Sequence, residues 1–191
     1  MFDVEFLTNL SVYLSNPRTS LNDKLLKICH TVKSAIPDCD RVGIWLFCND
    51  NSEMISLMGI DETGKQTLGE ILVASEHKAY FDYILQNEFL VASDAKNNEV
   101  TSCFNNGYLP AHDIRSVLDV TFKKDFVPLG IICCERTGNK TEWQHDDINI
   151  LKNIAVKASI FISNNICDVY ASKSKESIIE LLQPNLIEKN Q

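Results

Sequence analysis

The sequence predicts an α+β fold in which antiparallel strands form one layer and helices gather on one of its faces. Three observations carry this. Residues 114–135, IRSVLDVTFKKDFVPLGIICCE, read as two strands around a short charged turn. RVGIWLFC, residues 41–48, is too continuous in Val, Ile, Trp and Phe to be anything but a buried strand, and MISLMGI at 54–60 returns beside it across NDNSE. Segments with apolar residues at helical spacing flank these strands at both ends of the chain.

Taken in order, Phe2, Phe6, Leu10 and Tyr13 or Leu14 mark a short amphipathic helix, which Asn16 and Pro17 stop. A second helix starts at Leu21 with Thr19 or Ser20 as cap, keeps Leu21, Leu25, Ile28, Val32 and Ala35 or Ile36 on one face, and ends at Pro37. After the first two strands, a third short one covers Thr67 to Leu72. Ser75 caps a third helix whose stripe is Tyr80, Phe81, Ile84 and Leu85, and Phe89 to Ala92 forms another strand. Ser93 to Asp113 is a long polar connection enclosing Phe104, Tyr108 and Leu109. Such segments are commonly lids or binding loops, and a helical turn or two is expected within it.

In the hairpin, Ser116, Leu118, Val120 and Phe122 share one face, and Val117, Asp119 and Thr121 the other. The second strand runs from Leu129 to Glu135, with Pro128 at its start, where a missing N–H is tolerated. With Lys123, Lys124 and Asp125 as the turn and Phe122 opposite Pro128, the ladder sets Asp119 beside Ile131, Val117 beside Cys133 and Arg115 beside Glu135. A slip of one residue would reverse the faces. Thr141 and Gln144 have capping-box spacing, and a long helix is expected from Glu142 to Tyr170. Its positions Leu151, Ala155, Ala158, Ile162, Asn165 or Ile166, and Val169 keep near-heptad spacing for longer than one sheet needs, so the surplus is expected to meet another helix. SKSKES breaks the pattern, and the tail after it reads as frayed or partner-dependent.

Composition bounds the function. At 191 residues, 45% hydrophobic and 23% charged, the chain suits one globular domain with extensions. There is no apolar run near the roughly 20 residues that span a bilayer, and MFDVEFLTNL lacks a basic leader, so a cytoplasmic protein is expected. A net charge of -8 argues against nucleic acid and anionic membranes as partners. Seven cysteines without a CxxC pair suggest no disulfide framework. GxSxG, phosphate-loop, HExxH and dinucleotide motifs are absent, which argues against an enzyme. His30, His77, His112 and His145 lack metal-ligand spacing, and Cys103 with His112 supplies two ligands where a site needs more, so no metal is expected.

Candidate site residues cluster on the hairpin and the long connection. Asp119 either orients a ligand amine or hydroxyl or accepts backbone N–H bonds from the connection. Glu135 with Arg115 forms either a ligand clamp or a cross-strand ion pair. Asp94 caps the first turn of the connection or contacts a ligand. Trp45, Phe47, Phe104 and Tyr108 line an apolar cavity or pack in the core, and Val117 and Cys133 share the Asp119 face. Cys133 and Cys134 leave opposite faces of their strand, so they neither chelate one metal nor close an unstrained disulfide. Cys103 is the thiol with a claim to reactivity.

RVGIWLF, AYFDYI, VASDAKNNEVTSCFNNGYL, IRSVLDVTF, LGIICCE and Trp143 before the terminal helix, in this order and spacing, resemble a GAF domain, a small-molecule sensor module of bacterial signalling proteins. The resemblance covers residues 18–165, with 1–17 and 166–191 as helical extensions. It implies a GAF-like (profilin-like) fold: a six-stranded antiparallel sheet, terminal helices on one face and a lidded ligand pocket on the other. It further implies a homodimer through those helices and an output protein such as a kinase, cyclase or transcription factor. The ligand-binding set is then Trp45, Phe47, Asp94, Phe104, Tyr108, Arg115, Val117, Asp119, Cys133 and Glu135, with no cofactor assigned. The sequence lacks an NKFDE-like signature of cyclic-nucleotide-binding members and a cysteine in a bilin-tethering setting. Cys103 with Cys133 or Cys134 keeps open a thiol-dependent reductase of free methionine sulfoxide on the same fold, and a degenerate module kept for dimerisation is the third reading.

Overall fold

The computed structural model describes residues 5–166 and Ile178. The element order is α1 (Glu5–Ser15), α2 (Leu21–Ala35), β1 (Arg41–Cys48), β2 (Glu53–Ile60), β3 (Gln66–Thr67), β4 (Ile71–Val73), α3 (Lys78–Gln86), β5 (Phe89–Ala92), the single turn α4 (Tyr108–Ala111), β6 (Ile114–Lys124), β7 (Val127–Thr137) and α5 (His145–Asn165). The strands form one antiparallel sheet in the order β3-β2-β1-β7-β6-β5, with β4 also on β2. The third strand expected at Thr67 to Leu72 is therefore two pieces of one interrupted edge. Gly69, at φ 77°, makes the break, and its N–H still bonds Ser56 O at 2.8 Å while Glu70 O accepts from Ser56 N at 2.8 Å. A left-handed residue without a Cβ penalty is what such a bulge requires.

Strand alternation divides the interior into two cores. Val42, Ile44 and Leu46 of β1, Leu118, Val120 and Phe122 of β6, and Ile132 and Cys134 of β7 pack against α1, α2 and α5. Phe47, Val117, Ile131 and Cys133 leave the opposite face and pack with Tyr80, Phe81 and Ile84 of α3 and with Leu109 of α4. Both faces of the central strands are thus buried, which is why their sequences read as near-continuous apolar runs.

The β6–β7 faces are as expected, but the register lies two residues further along. Asp119 pairs with Cys133, Val117 with Glu135 and Phe122 with Gly130, and a bulge at Phe122/Lys123 precedes the pair Lys123 and Pro128. The cause is the turn. Asp125 and Phe126, at φ 50° and 66°, form a two-residue connection with both residues left-handed, the backbone that matches strand twist, rather than the three-residue turn expected from Lys123 to Asp125.

Helix ends also differ from expectation in two places. Ser20 caps α2, its Oγ accepting from Asp23 N at 3.1 Å. Ser75 caps nothing, because Glu76 and His77 both bond back to Val73 O in a turn that postpones α3 to Lys78. The capping box before α5 is Gln144 with Asp147, not Thr141 with Gln144. Asp147 Oδ2 accepts from Gln144 N at 3.0 Å and from buried Arg136 at 3.1 Å, so an ion pair holds the carboxylate at the helix start. Arg136 also donates to Pro37 O at 2.7 Å and stacks 3.9 Å from the Trp143 ring. The expected continuation of α5 to Tyr170, the SKSKES break, most of the tail and the Phe2 end of the first helix lie outside the described residues.

Gly130 marks the tightest approach in the sheet. A Cβ there would stand 2.0 Å from Trp45 O and 2.6 Å from Phe122 Cζ. Gly130→Ala is expected to lower stability by about 1–3 kcal/mol or more through strand separation. The urea midpoint reports it, and an unchanged midpoint would show that the β1–β7 spacing yields freely.

Candidate functional site

The face of the sheet that carries Val117, Asp119, Cys133 and Glu135 does not pack flat against the segment 93–113. A cavity of about 220 Å³ lies between them, walled by Trp45 of β1, Tyr80 of α3, the edge residues Ile71 and Leu72, and Thr101, Phe104, Tyr108, Leu109 and His112. The covering segment is held from within. Thr101 Oγ1 donates to Ala95 O, Asn98 Oδ1 accepts from Val100 N at 2.9 Å, and Asn105 Nδ2 donates to Lys96 O at 2.8 Å. It contains the expected helical turns, one 3-10 turn at Ser102–Phe104 and α4.

Asp119 is the most unusual group in the cavity. It is 1% exposed, and Tyr80 Oη donates to its Oδ2 at 2.6 Å. Its Oδ1 is buried and has no hydrogen-bond partner among the described residues. Burial pushes the carboxyl up to about 7, against the opposing pull of the Cys133 and Tyr80 hydrogen bonds, and the charge of Glu135 adds to the rise. A carboxylate in an apolar wall with one oxygen unsatisfied is costly unless something donates to it.

Glu135 is also buried, but it is partnered. Tyr108 Oη donates at 3.0 and 3.2 Å, Arg41 Nε at 3.1 Å, and the Cys133 thiol stands 3.5 Å from Oε1. Burial raises its pKa, while Arg41 and Tyr108 pull the other way. Arg41 bridges outward to Glu62 at 3.0 Å. Glu135, Trp45, Tyr108 and His112 form a shared wall with a second, more polar cavity of about 260 Å³ that opens toward Arg41 and Lys65.

Aromatic rings frame the remaining side. Phe104 stands edge-to-face on Tyr80 at 5.1 Å and on Tyr108 at 6.3 Å, and Tyr108 on His112 at 5.1 Å. These spacings suit edge-to-face contacts.

Of the candidates, Trp45, Phe104, Tyr108, Val117, Asp119, Cys133 and Glu135 are brought together at this cavity. Three are elsewhere. Phe47 lies behind the wall, edge-to-face with Phe81 at 6.2 Å. Asp94 anchors the start of the covering segment, pairing with Lys140 and accepting from Asn97 Nδ2 at 2.8 Å. Arg115 falls in a bulge of β6 between Ile114 and Ser116, is exposed, and pairs with Asp113, so the expected Arg115–Glu135 pair does not form. The strand neighbour that takes its place is Arg41, opposite Glu135 in the β1–β7 ladder. Tyr80, Arg41 and His112 were not among the candidates. Tyr80 carried a signal, since a hydroxyl within a buried helical stripe needs a partner.

Burial shifts all three thiols of the reductase reading, Cys103, Cys133 and Cys134, toward the protonated form. Burial raises the Cys103 pKa, with its Sγ 3.4 Å from Val100 O, and burial with two carboxylate neighbours raises that of Cys133 far more. Among the described residues, no group of three or more His, Cys, Asp or Glu side chains is placed to hold a metal ion. A larger groove of about 640 Å³ lies on the helical side around Lys27, His30 and Asp146, but none of the buried unpaired polar atoms found in the described residues lies there.

Comparison with known proteins agrees with this architecture. The family model for the GAF domain matches residues 21–162. Among solved structures, the GAF domain from an Acinetobacter phosphoenolpyruvate-protein phosphotransferase superposes with TM-score 0.68 at 17% identity, over 87% of this chain and 97% of that one. The chromophore-binding domain of a Stigmatella aurantiaca bacteriophytochrome gives 0.62 at 13% identity, over 83% of this chain and 59% of that one. The GAF domain of a two-component sensor histidine kinase from Bacillus halodurans gives 0.61 at 16%, over 80% and 98%. At such identities the likeness is one of fold. No curated protein matches the chain.

The Asp119 environment sets a pH dependence. Between pH 3.8, the carboxyl's ordinary value, and about 7, the unfolded chain releases this proton while the folded protein keeps it. Its contribution to stability is therefore complete below that window, declines as pH rises through it and is gone above about 7. Asp119→Asn, which keeps the shape but cannot ionise, is expected to flatten this part of the profile in urea unfolding from pH 4 to 8. Superimposable profiles for the two proteins would contradict the assignment.

Proposed function

From the premise that the chain belongs to the GAF domain family, whose model covers residues 21–162, we propose that it is a ligand-sensing regulatory module rather than an enzyme. GAF domains are sensory, ligand-binding domains of signalling proteins. The observation that carries the reading is the covered cavity with a buried carboxylate oxygen left open to it. A module retained for assembly alone has no reason to keep a desolvated charge beside a void, where an apolar side chain would fill and stabilise. The reductase alternative lacks support from the thiols, since the reactive form is the thiolate and all three candidates, Cys103, Cys133 and Cys134, are shifted toward the thiol.

The output is proposed to run through the helical layer to a signalling partner. Strand β7 turns Glu135 into the cavity wall and the next residue, Arg136, into the clamp on α5. Displacement of one strand segment by a ligand therefore reaches the start of α5 through covalent neighbours. On the outer surface of α5, Val156 and Ile160 are one turn apart and 58% and 56% exposed, which suits a helix pair between two copies. Among the described residues, no helix is long and apolar enough to cross a membrane.

A thermal-shift screen against amino acids, nucleotides, hemes and short acids tests the sensor reading. A ligand at about 100 times its Kd adds about 2.7 kcal/mol, or about 5–10 °C in Tm. Val117→Trp, which plugs the cavity, is expected to abolish the shift, and a shift that survives the plug would place binding elsewhere. For the dimer, sedimentation of Val156→Glu/Ile160→Glu is expected to give monomer where the parent gives dimer. A parent that sediments as monomer at tens of micromolar would remove the helix-pair proposal.

A further inference from the structure

The chemistry of the cavity narrows what it would hold. Among the described residues its acidic lining groups are Asp119, Glu135 and Glu70, and no Lys or Arg side chain lines it. Arg41 reaches Glu135 from the far side of the shared wall and leaves Asp119 untouched. An anion entering here would meet buried carboxylates in a low-dielectric setting, where like charges repel most strongly.

The unsatisfied Oδ1 of Asp119 asks for a donor, and Tyr80 already occupies the other oxygen. A neutral hydroxyl would satisfy the lone pair but leave the charge unbalanced. An ammonium does both, through a charge-assisted hydrogen bond. The rings of Tyr80, Phe104 and Tyr108, set edge-to-face around the same space, supply π faces that favour a cation and an apolar lining for its alkyl or aromatic body. A dry cavity of about 150 Å³ accepts benzene, so about 220 Å³ accepts on the order of ten heavy atoms. A tetrapyrrole is several times too large for it.

We propose that the cavity takes a small organic ammonium ion with at least one N–H, its nitrogen on Asp119 Oδ1 and its apolar body against Phe104 and Tyr108. This rests on the sensor reading and specifies its ligand class. The pairing is a protonation-linked one. Below pH 7 the free protein holds Asp119 neutral, so the ammonium must displace a proton, and affinity rises with pH until the carboxyl is ionised. The other titratable groups around Asp119 among the described residues are Glu70 just before β4, Tyr80 from α3, Cys133 and Glu135 from β7, and Tyr108 and His112 from the covering segment, with Arg41 of β1 behind Glu135. Burial pushes the Tyr80, Tyr108 and Cys133 values up, away from this range.

Calorimetric titration of the full chain with four matched probes tests it: 2-phenylethylamine, its N,N,N-trimethyl derivative, 2-phenylethanol and 3-phenylpropionate. The primary amine is expected to bind best, about tenfold more weakly at pH 6 than at pH 8, with the trimethyl derivative at least tenfold weaker because it has no N–H. Asp119→Asn is expected to lose at least tenfold in affinity together with the pH dependence. If that variant does not fold, the pH profile of the parent protein carries the same information. Binding of the alcohol or the acid as tightly as the amine, abolished by Val117→Trp, would overturn the ammonium assignment and leave the sensor reading standing. Equal binding of the trimethyl compound would overturn the N–H bond to Asp119. A broad screen that finds a cavity ligand while all four probes fail would also overturn the assignment, whereas a broad screen without any cavity ligand would take the sensor reading with it.

Discussion

Pairing between β6 and β7 is the constraint on which the rest of this structure depends. The two strands run side by side for almost their full length, and both of their faces are buried. A buried sheet face leaves polar side chains few exits, so each must find a partner within its own layer. On the helical side Ser116 Oγ bonds Ser93 O at 2.8 Å, and Arg136 ties Pro37, Trp143 and Asp147 together while its buried Nε has no hydrogen-bond partner among the described residues. On the other side Glu135 finds Arg41 and Tyr108, whereas Asp119 is satisfied at one oxygen and not at the other.

That difference between two carboxylates on one face gives the cavity its character. Glu135 is an element of the wall, since Arg41 and Tyr108 already spend their hydrogen bonds on it. Asp119 sits deeper, with no cation beside it among the described residues, and desolvation lifts it toward neutral pH. A carboxyl poised near 7 responds to whatever enters beside it, because the arrival of a positive charge and the loss of its proton favour one another. The sensor reading rests on this group more than on the fold, since the same fold serves many purposes and function lies in the site.

Adjacency along β7 joins the cavity wall to the start of α5 through neighbouring residues. Glu135 and Arg136 are successive residues on opposite faces, and the guanidinium holds the carboxylate that caps α5. A charge buried this way contributes little net stability but fixes where the helix begins. The cap therefore moved from the pair Thr141 and Gln144, which has the right spacing, to Gln144 and Asp147, which has the ion pair.

The elements themselves were legible in the chain: alternation at Ser116 to Phe122, the continuous run at Arg41 to Cys48 and the helical rhythm from Leu21 are local patterns, and local sterics and burial periodicity produce them wherever they occur. Which residues shared the Asp119 face followed from the same period of two. Beyond the two hairpin pairings and the helical face, the sequence left open how the elements meet. The two-residue turn at Asp125 and Phe126 set the register, a bulge turned Arg115 out to solvent, and β1 arriving antiparallel beside β7 brought Arg41 to Glu135 from 94 residues away. Tyr80, read along the chain as part of an apolar stripe, became the partner of Asp119 because α3 packs over that face. Periodicity says which side of an element is buried, but only long-range packing chooses what it is buried against.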